Sequence, residues 1–220
     1  MNESGIDVAA WLGRALAEAV PGELPFRHWT VSAVLPPASC EAVLALPFAV
    51  PEMAGIAGRR ETINSQRSFF SAESRTRFPV CEAVAQAFQA PQTVALIERL
   101  CAANLAGASL RIEYALDSDG FWLEPHTDIG AKLFTMLIYL SPHADAADWG
   151  TDLFRPDGTL AARSSGAFNT ALIFIPGADT WHGFIRRPIA GVRHSLIVNY
   201  VIPDWRSRHE LAFPELPVSS

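Results

Sequence analysis

Residues 124–140 read EPHTDIGAKLFTMLIYL, a histidine and an aspartate one residue apart ahead of a run that is almost wholly apolar. In a β-strand successive side chains point to opposite faces, so His126 and Asp128 project the same way while Thr127 points away. Two ligands can then share one ion. His182, in DTWHGF after the apolar ALIFIP, is the best-placed third ligand. His28, His143 and His209 lie in polar or turn-like contexts, and His194 alternates away from its neighbour Arg193. Two histidines and one carboxylate on one side of an ion leave three positions open, as in non-heme ferrous oxygenases. Zinc also accepts this donor set. Arg193 follows His182 by eleven positions in VRHSLIVNYV. An arginine on an otherwise apolar strand is costly to bury unless it meets an anion, and its planar fork matches a carboxylate. Arg193, Ser195 and Ile197 share a face, so a guanidinium and a hydroxyl would enter one cavity and dock a diacid.

The order HTD, then WHGF, then RHS resembles the Fe(II)- and 2-oxoglutarate-dependent dioxygenases, in particular their prolyl-hydroxylase-like branch. The resemblance spans residues 110–201, about two fifths of the chain. It implies an α+β protein with a double-stranded β-helix (a jelly-roll, cupin-like core) and N-terminal supporting helices. It implies Fe(II) held by His126, Asp128 and His182 as the catalytic centre, with 2-oxoglutarate chelating through its 1-carboxylate and 2-keto oxygens. Arg193, with Ser195 beside it, would hold the far carboxylate; Tyr139 matches a tyrosine that bonds the same carboxylate, and Tyr114 one that lines the pocket. Phe134, Leu137, Phe174 and Trp181 are candidates for apolar walls. WGTDLF stands where the branch often carries a pair of glycines, and the span from Tyr114 to His126 is slightly longer than usual; both blur the substrate side. Related halogenases replace the metal-binding carboxylate with a small residue, so Asp128 points to hydroxylation or desaturation. The implied reaction is hydroxylation by O2 with release of succinate and carbon dioxide, and the compact single domain and the arginine-rich stretch of residues 58–78 favour a small, anionic molecule as substrate. A peptidyl, prolyl-type hydroxylase is the alternative, and a non-catalytic jelly-roll binding protein the alternative of another class. Nothing near His126 offers the general base of an HExxH zinc hydrolase.

The elements that must position these residues fall into two halves. Asn2 or Ser4 is placed to cap a first helix with apolar positions Ile6, Ala10, Leu16 and Val20, ending at Pro21-Gly22. PPASCEAVLAL, with Ser39 as its cap, FPVCEAVAQAFQA and PQTVALIERLCAANLAG read as further helices, the last two opening on proline and the final one closing at Gly107. From Ser109 the pattern changes to short runs rich in β-branched, aromatic and leucine residues: SLRIEYAL, FWLEPHTD, KLFTMLIYL, TDLF, TALIFIP, WHGFIRR and VRHSLIVNYV. The expectation is a single domain over 1–220: 1–108 as helical support with a substrate-side loop, 109–203 as the β-helix core, 204–220 as a C-terminal tail. That loop, GRRETINSQRSFFSAESRTRF, sets Arg59, Arg60, Arg67, Arg75 and Arg77 against Glu61 and Glu73. It reads either as a solvated connection or as a lid that meets an anionic substrate.

Half of the 220 residues are hydrophobic and 18% are charged, which fits an ordered globular chain. The net charge of −6 excludes a general nucleic-acid binder. Cys40, Cys81 and Cys101 are odd in number and widely spaced, which suggests neither a disulfide framework nor a zinc site. The N-terminus lacks a basic region and an uninterrupted apolar core, and no segment approaches the roughly 20 apolar residues of a membrane span. The expectation is a soluble cytoplasmic protein with no membrane partner.

Overall fold

Apolar alternation in the second half resolves into two antiparallel sheets laid face to face. The structure is a computed structural model, and it describes residues 7–53, 56–60, 62, 66–128 and 130–219. In chain order the elements are α1 (Val8–Ala17), β1 (Val20–Gly22), β2 (His28–Ser32), α2 (Pro37–Leu44), β3 (Ser68–Phe69), α3 (Ala72–Arg77), α4 (Pro79–Gln89), α5 (Pro91–Cys101), β4 (Ser109–Ser118), β5 (Leu123–His126), β6 (Lys132–Tyr139), β7 (Asp152–Phe154), β8 (Leu160–Arg163), β9 (Thr170–Phe174), β10 (His182–Phe184) and β11 (Val192–Val201). The large sheet has the order β1-β2-β9-β6-β11-β4-β3 and the small one β5-β10-β7-β8. From β4 onward the chain crosses between them: β4 large, β5 small, β6 large, β7 and β8 small, β9 large, β10 small, β11 large. That winding is the double-stranded β-helix.

Why the sheets stack is legible in strand parity. On β4, Leu110, Ile112, Tyr114 and Leu116 face outward into a core shared with Leu12 and Leu16 of α1, Val84 and Phe88 of α4, and Val94 and Ile97 of α5. β6 contributes Phe134, Met136 and Ile138 to the same core, and β11 contributes Leu196, Val198 and Tyr200. The alternate positions face the small sheet, where Leu137, Tyr139, Leu172, Phe174 and Ile197 pack on Leu153. Each buried aliphatic or aromatic side chain contributes roughly 1.5–3 kcal/mol of transfer free energy, so the two layers fix the register of the central strands. The Tyr200 hydroxyl donates to the Phe88 carbonyl at 2.6 Å and ties β11 to α4.

The helices differ from expectation at their ends. Asp7 caps α1, its Oδ1 accepting from the amides of Ala9 and Ala10, while Asn2, Ser4 and Ile6 lie outside the described residues. Val20–Gly22, expected to end that helix, pair instead with β2. In α2 the cap position is Pro36 and Ser39 lies within the helix. Both α4 and α5 open on proline, whose missing N–H costs nothing in a first turn. α5 stops at Ala102 in the left-handed region rather than at Gly107. β1, β2, β3 and β8 were not legible as strands; the first three mean that the N-terminal half contributes both edges of the large sheet as well as its helical backing. The C-terminal segment runs beside β4, the Ala212 amide donating to the Leu110 carbonyl and the Val218 amide to the Ala108 carbonyl. No helix among the described residues is long and apolar enough to cross a membrane. All three cysteines are buried and unpaired, burial pushing the thiol of Cys40 up to about 11 and those of Cys81 and Cys101 to about 12.

Candidate metal centre

β5 and β10 are neighbours in the small sheet, and His182 stands directly opposite His126 in their register. Directly opposed residues of an antiparallel pair share a face, and the two ring centroids are 4.4 Å apart. Each imidazole is oriented by a carbonyl two residues upstream. His126 Nδ1 lies 2.8 Å from the Glu124 oxygen, and His182 Nδ1 lies 3.0 Å from that of Thr180. A carbonyl only accepts, so Nδ1–H donates in both rings and each Nε2 keeps its lone pair. β5 ends at His126, so Asp128 comes from the loop that follows rather than from the same strand. Asp128 Oδ1 lies 3.9 Å from His126 Nε2 and Oδ2 lies 3.6 Å from His182 Nε2. One ligand atom from each of the three lies within 4.8 Å of the others.

The electrostatics suit a divalent cation. Burial lowers His182 to about 4, despite the nearby Asp128 carboxylate, so the ring is neutral at pH 7 and able to ligate. Burial alone would raise Asp128, but the Lys132 ammonium 2.9 Å from Oδ2, with His182 beyond it, holds the carboxyl below its ordinary range. Two imidazole nitrogens and a carboxylate oxygen on one side, with a cavity of about 470 Å³ on the other, form a three-point set that fits ferrous iron. Leu137, Ile197, Phe184 and Trp181 line the apolar part of the cavity, and Thr135, Thr151 and Arg193 the polar part. The Phe174 ring stands behind His182, their centroids 4.7 Å apart. Phe134 is on the wrong parity for this wall and packs against the helices.

Arg193 is buried at the cavity wall, its Nε donating to the Trp149 carbonyl and its Nη1 to Asp117 Oδ2, each at 2.6 Å. Asp117 is its cross-strand partner on β4 and also accepts from both Nη atoms of Arg60 at 2.9 Å. The sequence reading missed this carboxylate. Its signal was alternation: Arg111, Glu113 and Asp117 occupy every second position but one of RIEYALD, all on the inner face. Tyr114, expected in the pocket, falls on the outer face for the same reason, and its hydroxyl lies 2.7 Å from His194 Nδ1. The Tyr139 hydroxyl is buried behind the wall, 2.8 Å from Thr151 Oγ1 and from Ser164 Oγ. Ser195 shares the inner face of β11 but does not line the cavity, and its buried Oγ has no hydrogen-bond partner among the described residues.

The arginine-rich loop divides in two. Gly58, Arg59, Arg60 and Arg67 line the cavity, and the Gly58 carbonyl accepts from the Glu124 amide at 2.9 Å, two residues before His126. Gly58 has φ 74°, and a Cβ there would meet Trp122 and Glu124 side-chain atoms at 2.7 Å, so only glycine lets the loop lie this close. Arg67 clamps Glu113, with Nε to Oε1 at 3.0 Å and Nη2 to Oε2 at 2.5 Å. Arg111 donates to the same carboxylate and to Glu210. Burial opposes ionisation of Glu113, yet Arg67 and Arg111 hold it far below the usual carboxylate range. Arg75 and Arg77 lie elsewhere: Arg75 pairs with Glu82 and stacks on Phe213, and Arg77 covers Phe78. Glu61 lies outside the described residues.

No family model matches the chain, and no curated protein does. Its fold matches solved prolyl hydroxylases. A prolyl-4-hydroxylase of Pseudomonas putida superposes with a TM-score of 0.58 at 17% identity, over 90% of this chain and 99% of that one. A prolyl hydroxylase of Trichoplax adhaerens, solved with a peptide fragment of hypoxia inducible factor, gives 0.55 at 15% identity over 90% and 91%. A prolyl 4-hydroxylase of Phytophthora capsici gives 0.59 at 12% identity over 91% and 67%. At these identities the likeness is one of fold, and it bears out the double-stranded β-helix expected from the sequence.

Proposed function

We propose that the chain is an Fe(II)- and 2-oxoglutarate-dependent dioxygenase that hydroxylates a small, anionic molecule. The observation that carries this reading is the convergence of His126, Asp128 and His182, with both imidazoles held so that Nε2 faces a common point. Iron bound by these three residues supplies the oxidative chemistry, coupling O2 and 2-oxoglutarate to attack on a C–H bond, with succinate and carbon dioxide as products. The chain's own part is to bind, orient and exclude water. Arg193, carried at 3% exposure on the cavity wall, receives the far carboxylate of 2-oxoglutarate on the part of its fork not engaged by Asp117 and Trp149. Thr151, fixed from behind by Tyr139, offers a hydroxyl on the same wall. Leu137, Ile197 and Phe184 keep the reacting C–H bond out of water. The three buried, unpaired thiols suit a reducing compartment such as the cytoplasm.

Two observations favour a small, anionic substrate. Arg59 stands at the cavity rim with its side chain 72% exposed, 3.6 Å from Glu124. The loop at Gly58 already accepts the Glu124 amide, a donor of β5 that an extended peptide would otherwise use to add itself to this edge. The second reading, a peptidyl hydroxylase, draws support from the solved neighbours, one of which holds a peptide. The test is succinate release from 2-oxoglutarate with Fe(II) under air, with metabolite pools and peptide fractions as stimulants. Stimulation by metabolites supports the first reading and stimulation by peptides the second. Asp128→Ala and His182→Ala should abolish turnover, and Arg193→Ala should chiefly raise the KM for 2-oxoglutarate. Turnover surviving in His182→Ala removes the assignment.

A further inference from the structure

Lys132 is the only lysine among the 17 Lys and Arg residues of the chain, and it lines the cavity. Two buried carboxylates near this cavity are held by arginine forks on both oxygens: Arg67 takes Oε1 and Oε2 of Glu113, and Arg60 takes Oδ1 and Oδ2 of Asp117. A carboxylate clamped in that way has no oxygen to spare for a metal. At Asp128 the partner is instead an ammonium, a point charge that satisfies one oxygen and leaves the other. Its Nζ lies 2.9 Å from Oδ2, the oxygen 3.6 Å from His182 Nε2, while Oδ1 lies 3.9 Å from His126 Nε2 and carries no such ion pair. The chain is shaped for this pairing. Gly130, at φ 90°, turns the backbone between Asp128 and the start of β6, so that residues four apart meet although no helix joins them.

We infer that Lys132 is a positioning residue of the metal centre: its ammonium, 2.9 Å from Oδ2, fixes the tilt of the Asp128 carboxylate between His126 and His182, so that a single oxygen is presented to the metal. This rests on the metal-dependent reading above. One-oxygen ligation keeps coordination positions open for the two oxygens of the cosubstrate and for O2, which a two-oxygen carboxylate would diminish. Lysine rather than arginine is the specific requirement, since a guanidinium fork at this place can engage both oxygens, as Arg67 does at Glu113 and Arg60 at Asp117.

The experiment is a Co(II) titration of the metal-free protein, followed by the visible spectrum of the bound ion, with thermal unfolding of each variant recorded alongside. Groups that orient a ligand carboxylate typically contribute roughly 10–100-fold to metal affinity. Lys132→Met should bind Co(II) about tenfold more weakly and shift the visible bands, as the carboxylate loses the partner that fixes its orientation. Lys132→Arg, with the charge kept, should bind more weakly still. Lys132→Gln gives the same comparison as Lys132→Met with a polar side chain, should the apolar variant fold poorly. Wild-type affinity in Lys132→Arg overturns the inference, as does equal or tighter binding in Lys132→Met, which would make the ammonium a competitor of the metal. If wild type binds no Co(II), or His182→Ala binds it equally well, the metal-dependent reading itself falls and takes the inference with it.

Discussion

The two faces of β4 carry opposite chemistry along the same ten residues. Its outer face presents Leu110, Ile112, Tyr114 and Leu116 to the helices, while its inner face presents Arg111 and Glu113 to the cavity and Asp117 to the cavity-lining Arg193 and Arg60. Both faces are buried, so both had to meet the demand that a buried group find a partner. The outer face meets it by shape and the inner by charge. Glu210, Arg111, Glu113, Arg67, Arg60, Asp117 and Arg193 form a continuous chain of ion pairs across the cavity wall, reaching from the C-terminal segment to the candidate cosubstrate anchor. Buried ion pairs of this kind contribute little net stability compared with apolar packing of the same volume. Their place beside the candidate metal triad argues that they serve to hold guanidinium groups at fixed positions around a ligand.

The comparison breaks most visibly at Glu113. Replacing it with alanine leaves Arg67 and Arg111 without the carboxylate they share, and removing one partner of a buried pair costs about 3–5 kcal/mol. Denaturant unfolding measures this directly. A loss below about 1 kcal/mol would mean that the arginines are satisfied from the cavity, and that the inner face is not a structural network. One residue away on the outer face, Ile112→Val removes a methyl group from a site at 0% exposure and should cost about 0.5–1.5 kcal/mol. Its KM for 2-oxoglutarate should stay at the wild-type value. If Ile112→Val shifted that KM, the two faces would be coupled and the division between them would fail.

What the sequence discloses follows the same division. His126, Asp128, His182 and Arg193 were legible because polar groups inside apolar strands stand out, and their order along the chain is distinctive. The winding was legible as short runs broken by glycine, proline and aspartate. The partners of the site were harder to see. Asp117 and Glu113 are hidden in RIEYALD unless the strand is split by parity, which also would have moved Tyr114 and Phe134 to the helix side. The strands β1, β2 and β3 are two to five residues long, and pairing in the large sheet selects them rather than local pattern. The pairing of Lys132 with Asp128 depends on one left-handed turn at Gly130, and nothing in the spacing alone separates it from a chance i,i+4 placement.

The smallest expected effect lies where the faces meet at β11. His194 is on the outer face, beside the inward-facing Arg193, and its Nδ1 lies 2.7 Å from the Tyr114 hydroxyl. Burial lowers its pKa from 6.5, with Asp117 opposing weakly, so the folded state disfavours the imidazolium. The unfolded chain therefore binds more protons than the folded one between its own value near 6.5 and the lower folded value. Stability is full above that upper value and declines as the pH falls through the window, because protons are taken up on unfolding. His194→Gln removes the titration while keeping a polar side chain beside Tyr114. The loss of unfolding free energy between pH 7.5 and pH 5.5 should be smaller in the variant than in wild type, and smaller than the cost of either substitution on β4. Equal losses in the two proteins would place the acid sensitivity elsewhere. A larger loss in the variant would mean that the imidazolium is stabilised by the Asp117 carboxylate across the strand, so that the charge of the inner face reaches through β11 to the outer one.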